Sequence, residues 1–150
     1  MRKAFVAASA LLLVAFVLQF VFAAVGGFSK PVGDDSYALH SVNGMAVIPA
    51  LTLLTALCAA LARAPGRLIA LAVLPIGLVV LQALLATLAT AATDAAGVST
   101  PLGPIIGGLH ALNGIIAVHV VVAVLQGARK LTDPEPADST ADVVRGGEPA

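Results

Sequence analysis

The chain has no tryptophan, one tyrosine and one cysteine. The missing aromatics leave it without the Trp/Tyr belts that many membrane proteins place at their interfaces. The lone Cys58 excludes an intramolecular disulfide, a CxxC pair and a Cys/His metal cluster. It sits in an apolar run and reads as a small buried hydrophobe. Charge is scarce too, at 11% of residues, where a soluble domain carries about 25%. No Gly-rich phosphate loop occurs, and basic residues sit only where helix flanks and a tail explain them. Neither nucleotide nor nucleic-acid binding is expected.

Hydrophobic residues make up 59% of the chain. Crossing roughly 30 Å of hydrocarbon takes about 20 mainly apolar residues. Four runs qualify, at about 4–25, 39–62, 68–92 and 105–128, and none contains Asp, Glu, Lys or Arg. In lipid the backbone must satisfy its own hydrogen bonds, so runs of this length are helices. The expected fold is all-α, a transmembrane four-helix bundle over residues 1–130. Arg2, Lys3, Arg63, Arg67, Arg129 and Lys130 flank one side, while Lys30, Asp34, Asp35 and Asp94 lie on the other. By the positive-inside rule both termini are cytoplasmic, in a multi-pass protein of the plasma membrane. The short 63–67 turn makes the second and third helices antiparallel neighbours.

Both ends carry a further expectation. "MRK" followed by an apolar run and "VFAAVGG" also resembles a secretory signal, but the run exceeds the usual 7–15 residues, so an uncleaved first helix is favoured. Residues 131–150 hold three prolines, five acids and a Gly–Gly pair, a composition that reads as a disordered cytoplasmic tail.

The sharpest feature is a repeat. "LHSVNG" at 39–44 returns as "LHALNG" at 109–114, and these copies hold the only two asparagines of the chain. Each falls at the start of a helix running inward. "VLQ" occurs at 17–19 and again at 80–82, although a third copy at 124–126 weakens that tripeptide. The chain therefore reads as two similar antiparallel hairpins, an internal duplication related by an axis along the membrane normal.

Positions i, i+3 and i+4 share a helix face, so His40, Asn43 and Gly44 line one stripe and His110, Asn113 and Gly114 another. Polar groups in a membrane helix turn toward the bundle interior, which aims both stripes at one axis near the outer surface. Two facing imidazoles suit the iron of haem b, with His40 and His110 as axial ligands. Asn43 and Asn113, or backbone carbonyls, would orient the rings from their other nitrogen. Gly44 and Gly114 would make room for the macrocycle, and Lys30 would meet its propionates. The competing expectation is structural: His and Asn as interhelical hydrogen-bond locks, worth about 0.6 kcal/mol each on average. Zinc is disfavoured, because two histidines without a carboxylate give too few ligands.

Gln19, Gln82 and His119 are further polar residues within the apolar runs. His119 lies nine residues past His110, about 13 Å deeper and on nearly the opposite face. Its counterpart by direct alignment is Pro49, and Gln82 is its expected hydrogen-bond partner; a proton-relay or quinone contact is the sharper alternative. Pro49 and Pro75 each remove a backbone donor and are expected to kink their helices. A transporter is disfavoured by the absence of intramembrane acids. Ser41 beside His40 points away from it, so no nucleophilic set assembles and an enzyme is not expected. Partners would be the lipid bilayer, a quinone or membrane redox protein, and a second copy of the chain.

The "LQF" at 18–20, the H-x-x-x-G of His40 and Gly44, "VLQ" in the third helix and "LHALNG" opening the fourth resemble a family of small four-helix bacterial membrane proteins, especially of high-GC actinobacteria. The likeness covers about residues 3–128 and implies the four-helix fold with no established activity. In architecture alone the duplicated hairpin is also similar to haem-binding bundles such as the haem A synthase and cytochrome b561 groups. The chain lacks their fuller set of four histidines, which speaks against a two-haem arrangement.

Overall fold

The computed structural model describes residues 1–31, 33–94, 96 and 98–132. The expected disordered tail lies, past Thr132, outside them. Four helices are long and apolar enough to cross a membrane: Arg2–Phe28, Asp35–Leu61, Gly66–Ala91 and Leu102–Lys130. The all-α four-helix bundle of the sequence reading is what the chain forms, and it fits a multi-pass membrane protein. The first span is α1 (Arg2–Phe28). The second is a composite rod: a 3-10 turn (Asp34–Tyr37), α2 (Ala38–Val42), a π turn (Asn43–Val47) and α3 (Ile48–Leu61). The third and fourth spans are α4 (Gly66–Ala91) and α5 (Leu102–Lys130).

Connections alternate up and down. α1 packs against the second span and α5, and α4 packs against α3 and α5, so the four spans form a square. The start of α1, the turn at 62–65 and the end of α5 share one end; the 29–37 and 92–101 connections share the other, called the loop end below. The 62–65 turn is a Schellman cap. Ala64 N–H donates to Ala59 O at 3.0 Å and Arg63 N–H to Ala60 O at 2.9 Å, with Arg63 in the left-handed region at φ 55°. Glycine is the usual residue there, and Pro65 follows to stop the helix.

The interior is built from small side chains. At the terminal end Phe5 packs with Ala8, Ala59, Ala72, Val124 and Ala128. A second layer joins Leu12, Ala15, Phe16, Ile48, Ala117 and Val121. Ser9, Thr52 and Thr55 are fully buried and return their hydroxyls to the carbonyl four residues back. Many of the other Leu, Val and Ile side chains face outward. That inversion suits lipid, where close backbone approach through small residues replaces the hydrophobic drive between helices. Above the second layer, toward the loop end, the core turns polar.

Pro49 does not kink the rod alone. It has no N–H to give and its ring crowds the carbonyl four residues earlier. The turn ahead of it widens to π, with Ile48 N–H bonding Asn43 O, five residues back. Such a turn absorbs one extra residue. The buried positions Ile48, Thr52, Thr55 and Ala59 in α3 match Ala117, Val121, Val124 and Ala128 in α5 at an offset of 69. His40, Asn43 and Gly44 match His110, Asn113 and Gly114 at an offset of 70. The counterpart of His119 is therefore Ala50, not Pro49.

Candidate functional site

Three polar side chains fasten each hairpin at the same level. In the first, His40 Nδ1 lies 3.1 Å from Gln19 O. A carbonyl only accepts, so Nδ1 carries the proton and Nε2 is left with a lone pair. Gln19 returns the bond, its Nε2 donating to His40 O at 3.0 Å. Asn43 Nδ2 donates to Gln19 Oε1 at 2.7 Å and to Ala15 O at 2.9 Å. The second hairpin repeats each contact. His110 Nδ1 donates to Gln82 O at 3.1 Å. Gln82 Nε2 donates to His110 O at 2.8 Å. Asn113 Nδ2 donates to Gln82 Oε1 at 2.5 Å and to Leu78 O at 2.9 Å. Both asparagines are buried and both histidines half-buried. No buried side-chain nitrogen or oxygen among the described residues lacks a partner.

Gln19 and Gln82 are thus the centre of each clamp. The repeated tripeptide "VLQ" carried that signal, and its third copy ends in Gln126, which is exposed. The backbone carbonyls orient the imidazoles; the asparagines instead hold the glutamines. A Cβ on Gly44 would lie 2.7 Å from Gln19 Nε2, and one on Gly114 would lie 3.5 Å from Gln82 Nε2, an ordinary contact distance. Gly44 gives the Gln19 carboxamide its close approach, and both glycines line the cavity described below.

The clamps face each other across the square. The rings of His40 and His110 are 6.3 Å apart between centroids, with planes inclined at 44°. Between the spans lies a cavity of about 360 Å³, walled by His40, His110, Phe16, Phe20, Ala83 and Ala86, with both clamp glutamines on its lining. Tyr37 covers His40 from the loop end, edge-on at 6.3 Å. Its ring rests on Gly26, where any Cβ would come within 2.5 Å of Tyr37 Cδ1. Lys30 is exposed at the loop end.

His119 stands apart from this assembly. It is exposed on the outward side of α5 and its Nδ1 bonds Ile115 O of its own helix at 2.8 Å. The expected pairing with Gln82 does not form, because Gln82 is committed to His110 and Asn113. Among the described residues no group of three or more His, Cys, Asp or Glu could hold a metal ion. The cavity lining offers two imidazoles and the thioether of Met45 as side chains able to ligate iron.

The fold and site define a class: a four-span membrane bundle whose two hairpins are each clamped by glutamine, histidine and asparagine around one central cavity. Residues 19–91 match the model of a family of unknown function, DUF6220. The match begins at Gln19 and takes in His40, Asn43, Gly44 and Gln82. No curated protein and no solved structure matches the chain.

Proposed function

We propose that the bundle binds a single haem b between His40 and His110, for electron transfer or haem handling in the membrane. The observation that carries this reading is the ring spacing. Metal–imidazole bonds run about 2.0–2.1 Å and a ring nitrogen sits about 1.1 Å from its ring centre, so two imidazoles on opposite sides of one metal ion have centres roughly 6.3 Å apart. His40 and His110 are 6.3 Å apart already. Their protons are fixed on Nδ1 by Gln19 O and Gln82 O, which leaves Nε2 as the ligating atom. The small side chains Ala83, Ala86 and Ala111 wall the cavity and suit a flat ligand. When bound, haem would supply a one-electron couple. The chain's part is to hold two oriented imidazoles at one depth and to keep bulk water out with Phe16, Phe20 and Tyr37.

The topology belongs to the same reading. The Lys/Arg-rich terminal end is cytoplasmic and the loop end faces outward, so the site lies near the outer surface of the plasma membrane. Its electron partner is a quinone or a membrane redox protein. The matching clamps and the constant offset of the buried faces support descent of the two hairpins from one duplicated hairpin.

An absorption spectrum tests the proposal. Protein expressed with a haem precursor and purified in mild detergent should show a Soret band and sharp α/β bands on reduction, altered by His40→Ala and by His110→Ala. A colourless protein with ample haem supply would sink it. The second reading would then stand, that the clamps only lock the bundle. It is favoured by one observation of its own: both glutamines and both asparagines spend their hydrogen bonds between spans.

A further inference from the structure

The two clamps differ at one atom. Gln19 Nε2 lies 3.2 Å from His40 Nε2 as well as 3.0 Å from His40 O. Its two N–H groups therefore reach both the carbonyl and the ring lone pair of the same histidine. Gln82 Nε2 bonds His110 O, and among the described residues His110 Nε2 has no hydrogen-bond partner. Both rings carry their proton on Nδ1, so both Nε2 atoms are acceptors. One lone pair is engaged and the other is free, and both rings line the cavity.

The glycines explain why the carboxamides sit differently. Gln19 Nε2 lies where a Cβ on Gly44 would be only 2.7 Å away, while the distance to Gln82 from the same point on Gly114 is 3.5 Å. The first carboxamide is drawn in against its helix beside His40 Nε2. The second has slack, and Phe20, 3.4 Å from the Gly114 Cβ point, shares that space.

A nitrogen lone pair cannot serve a carboxamide N–H and a metal ion at once. Ligation by His110 breaks no protein hydrogen bond, whereas ligation by His40 must first displace Gln19. Resting on the haem reading, we propose that His110 is the fixed ligand and His40 an exchangeable one. The His40 side of the cavity is then a binding site for a small neutral exogenous ligand, of the class of carbon monoxide and other diatomic gases. The exchange is of one donor lone pair for another. No electron leaves or enters, and the released His40 Nε2 returns to the Gln19 N–H.

The full chain, reconstituted with haem in detergent, is titrated with carbon monoxide after dithionite reduction. The wild type is expected to bind it, with a shifted Soret band. His40→Ala should keep its haem and bind the gas about tenfold more tightly. His110→Ala should lose haem affinity by at least about tenfold. Gln19→Leu frees His40 to ligate and should weaken carbon monoxide binding. Equal loss of haem in the two histidine variants, or a reduced wild type that ignores the gas, overturns the asymmetry while leaving the haem reading intact. A colourless wild type overturns both. The haem-free chain gives an independent readout by nitrogen NMR with 15N-labelled histidine. The Nε2 resonance of His40 should be that of a hydrogen-bonded acceptor and move on Gln19→Leu, with that of His110 unmoved. Two indistinguishable Nε2 resonances would overturn the proposal by themselves.

Discussion

The first hairpin and the second share every polar contact of the clamp but one, on different backbones. His110 and Asn113 stand on an unbroken α-helix, and the next buried position, Ala117, is the fourth after Asn113. His40 stands ahead of a π turn that Asn43 opens, and the next buried position, Ile48, is the fifth after Asn43. An added residue in a plain α-helix would turn everything beyond it by about 100°. The π turn absorbs that rotation, so the clamp and the buried face of α3 both keep their direction. The chemistry of the clamp is held constant and the backbone accommodates it. Pro49, which leaves an N–H bond unmade, marks the place where that accommodation costs least.

Single-residue deletions give the sharpest contrast and the largest expected effect. Removing Ile116 from α5 should rotate His110 and Asn113 away from Gln82, with loss of the second clamp and of most haem binding. Removing Ala46 from the π turn should bring Ile48 to the fourth position after Asn43, the spacing found in α5, and so preserve the first clamp. Its cost should not exceed about 3 kcal/mol, that of a proline inside an α-helix. Unfolding in mixed micelles and the reduced spectrum measure both, and equal damage would show that the π turn does not hold the register. Next come the glutamines. Gln19 makes three side-chain hydrogen bonds in its clamp and Gln82 makes two. At about 0.6 kcal/mol per interhelical bond, Gln19→Leu should cost about 2 kcal/mol and Gln82→Leu about 1 kcal/mol. Reversed magnitudes would break the asymmetry between the hairpins.

Much of this was legible in the residues. Four uncharged apolar runs fix four helices, because lipid leaves the backbone no other arrangement. The only two asparagines, each three positions after a histidine, mark the site and the depth the two copies share. The glutamines were harder to read. "VLQ" is three common residues, and only its contact with a histidine distinguishes Gln19 and Gln82 from Gln126. Gly44 looked like clearance for a ligand alone, since the sequence does not show that a carboxamide from the neighbouring span comes so close to it. The π turn left a proline and nothing else, so direct alignment matched His119 with Pro49. Pairing His119 with Gln82 rested on depth alone, and depth does not say which way a side chain points.

The glycines beside the two clamps are expected to matter less than the glutamines. Alanine at Gly44 must push the Gln19 carboxamide off its 2.7 Å approach, whereas alanine at Gly114 meets Gln82 and Phe20 at ordinary contact distance, 3.4–3.5 Å. Gly44→Ala should therefore cost about 1 kcal/mol and Gly114→Ala close to none, within about 0.5 kcal/mol. The same micelle titration reads both. His119→Leu should also fall within about 0.5 kcal/mol and leave the haem spectrum unchanged, because its one hydrogen bond is to its own helix.

A small stabilising effect is expected at the far end of the molecule, where the two hairpins join. Arg63 holds a left-handed conformation, φ 55°, that a side chain disfavours by about 1–2 kcal/mol. Both Schellman hydrogen bonds close through it, so the turn is kept despite the residue. Arg63→Gly should relieve the backbone and raise stability, by less than about 1 kcal/mol, because glycine also loses more entropy on folding. The substitution removes one of the six basic flanking residues, and orientation follows their sum. A stabilised protein with unchanged topology, read by protease access to each end in vesicles, would separate the turn's geometry from its charge. A protein that is destabilised or inverted would show that Arg63 is retained at this strained position for its charge.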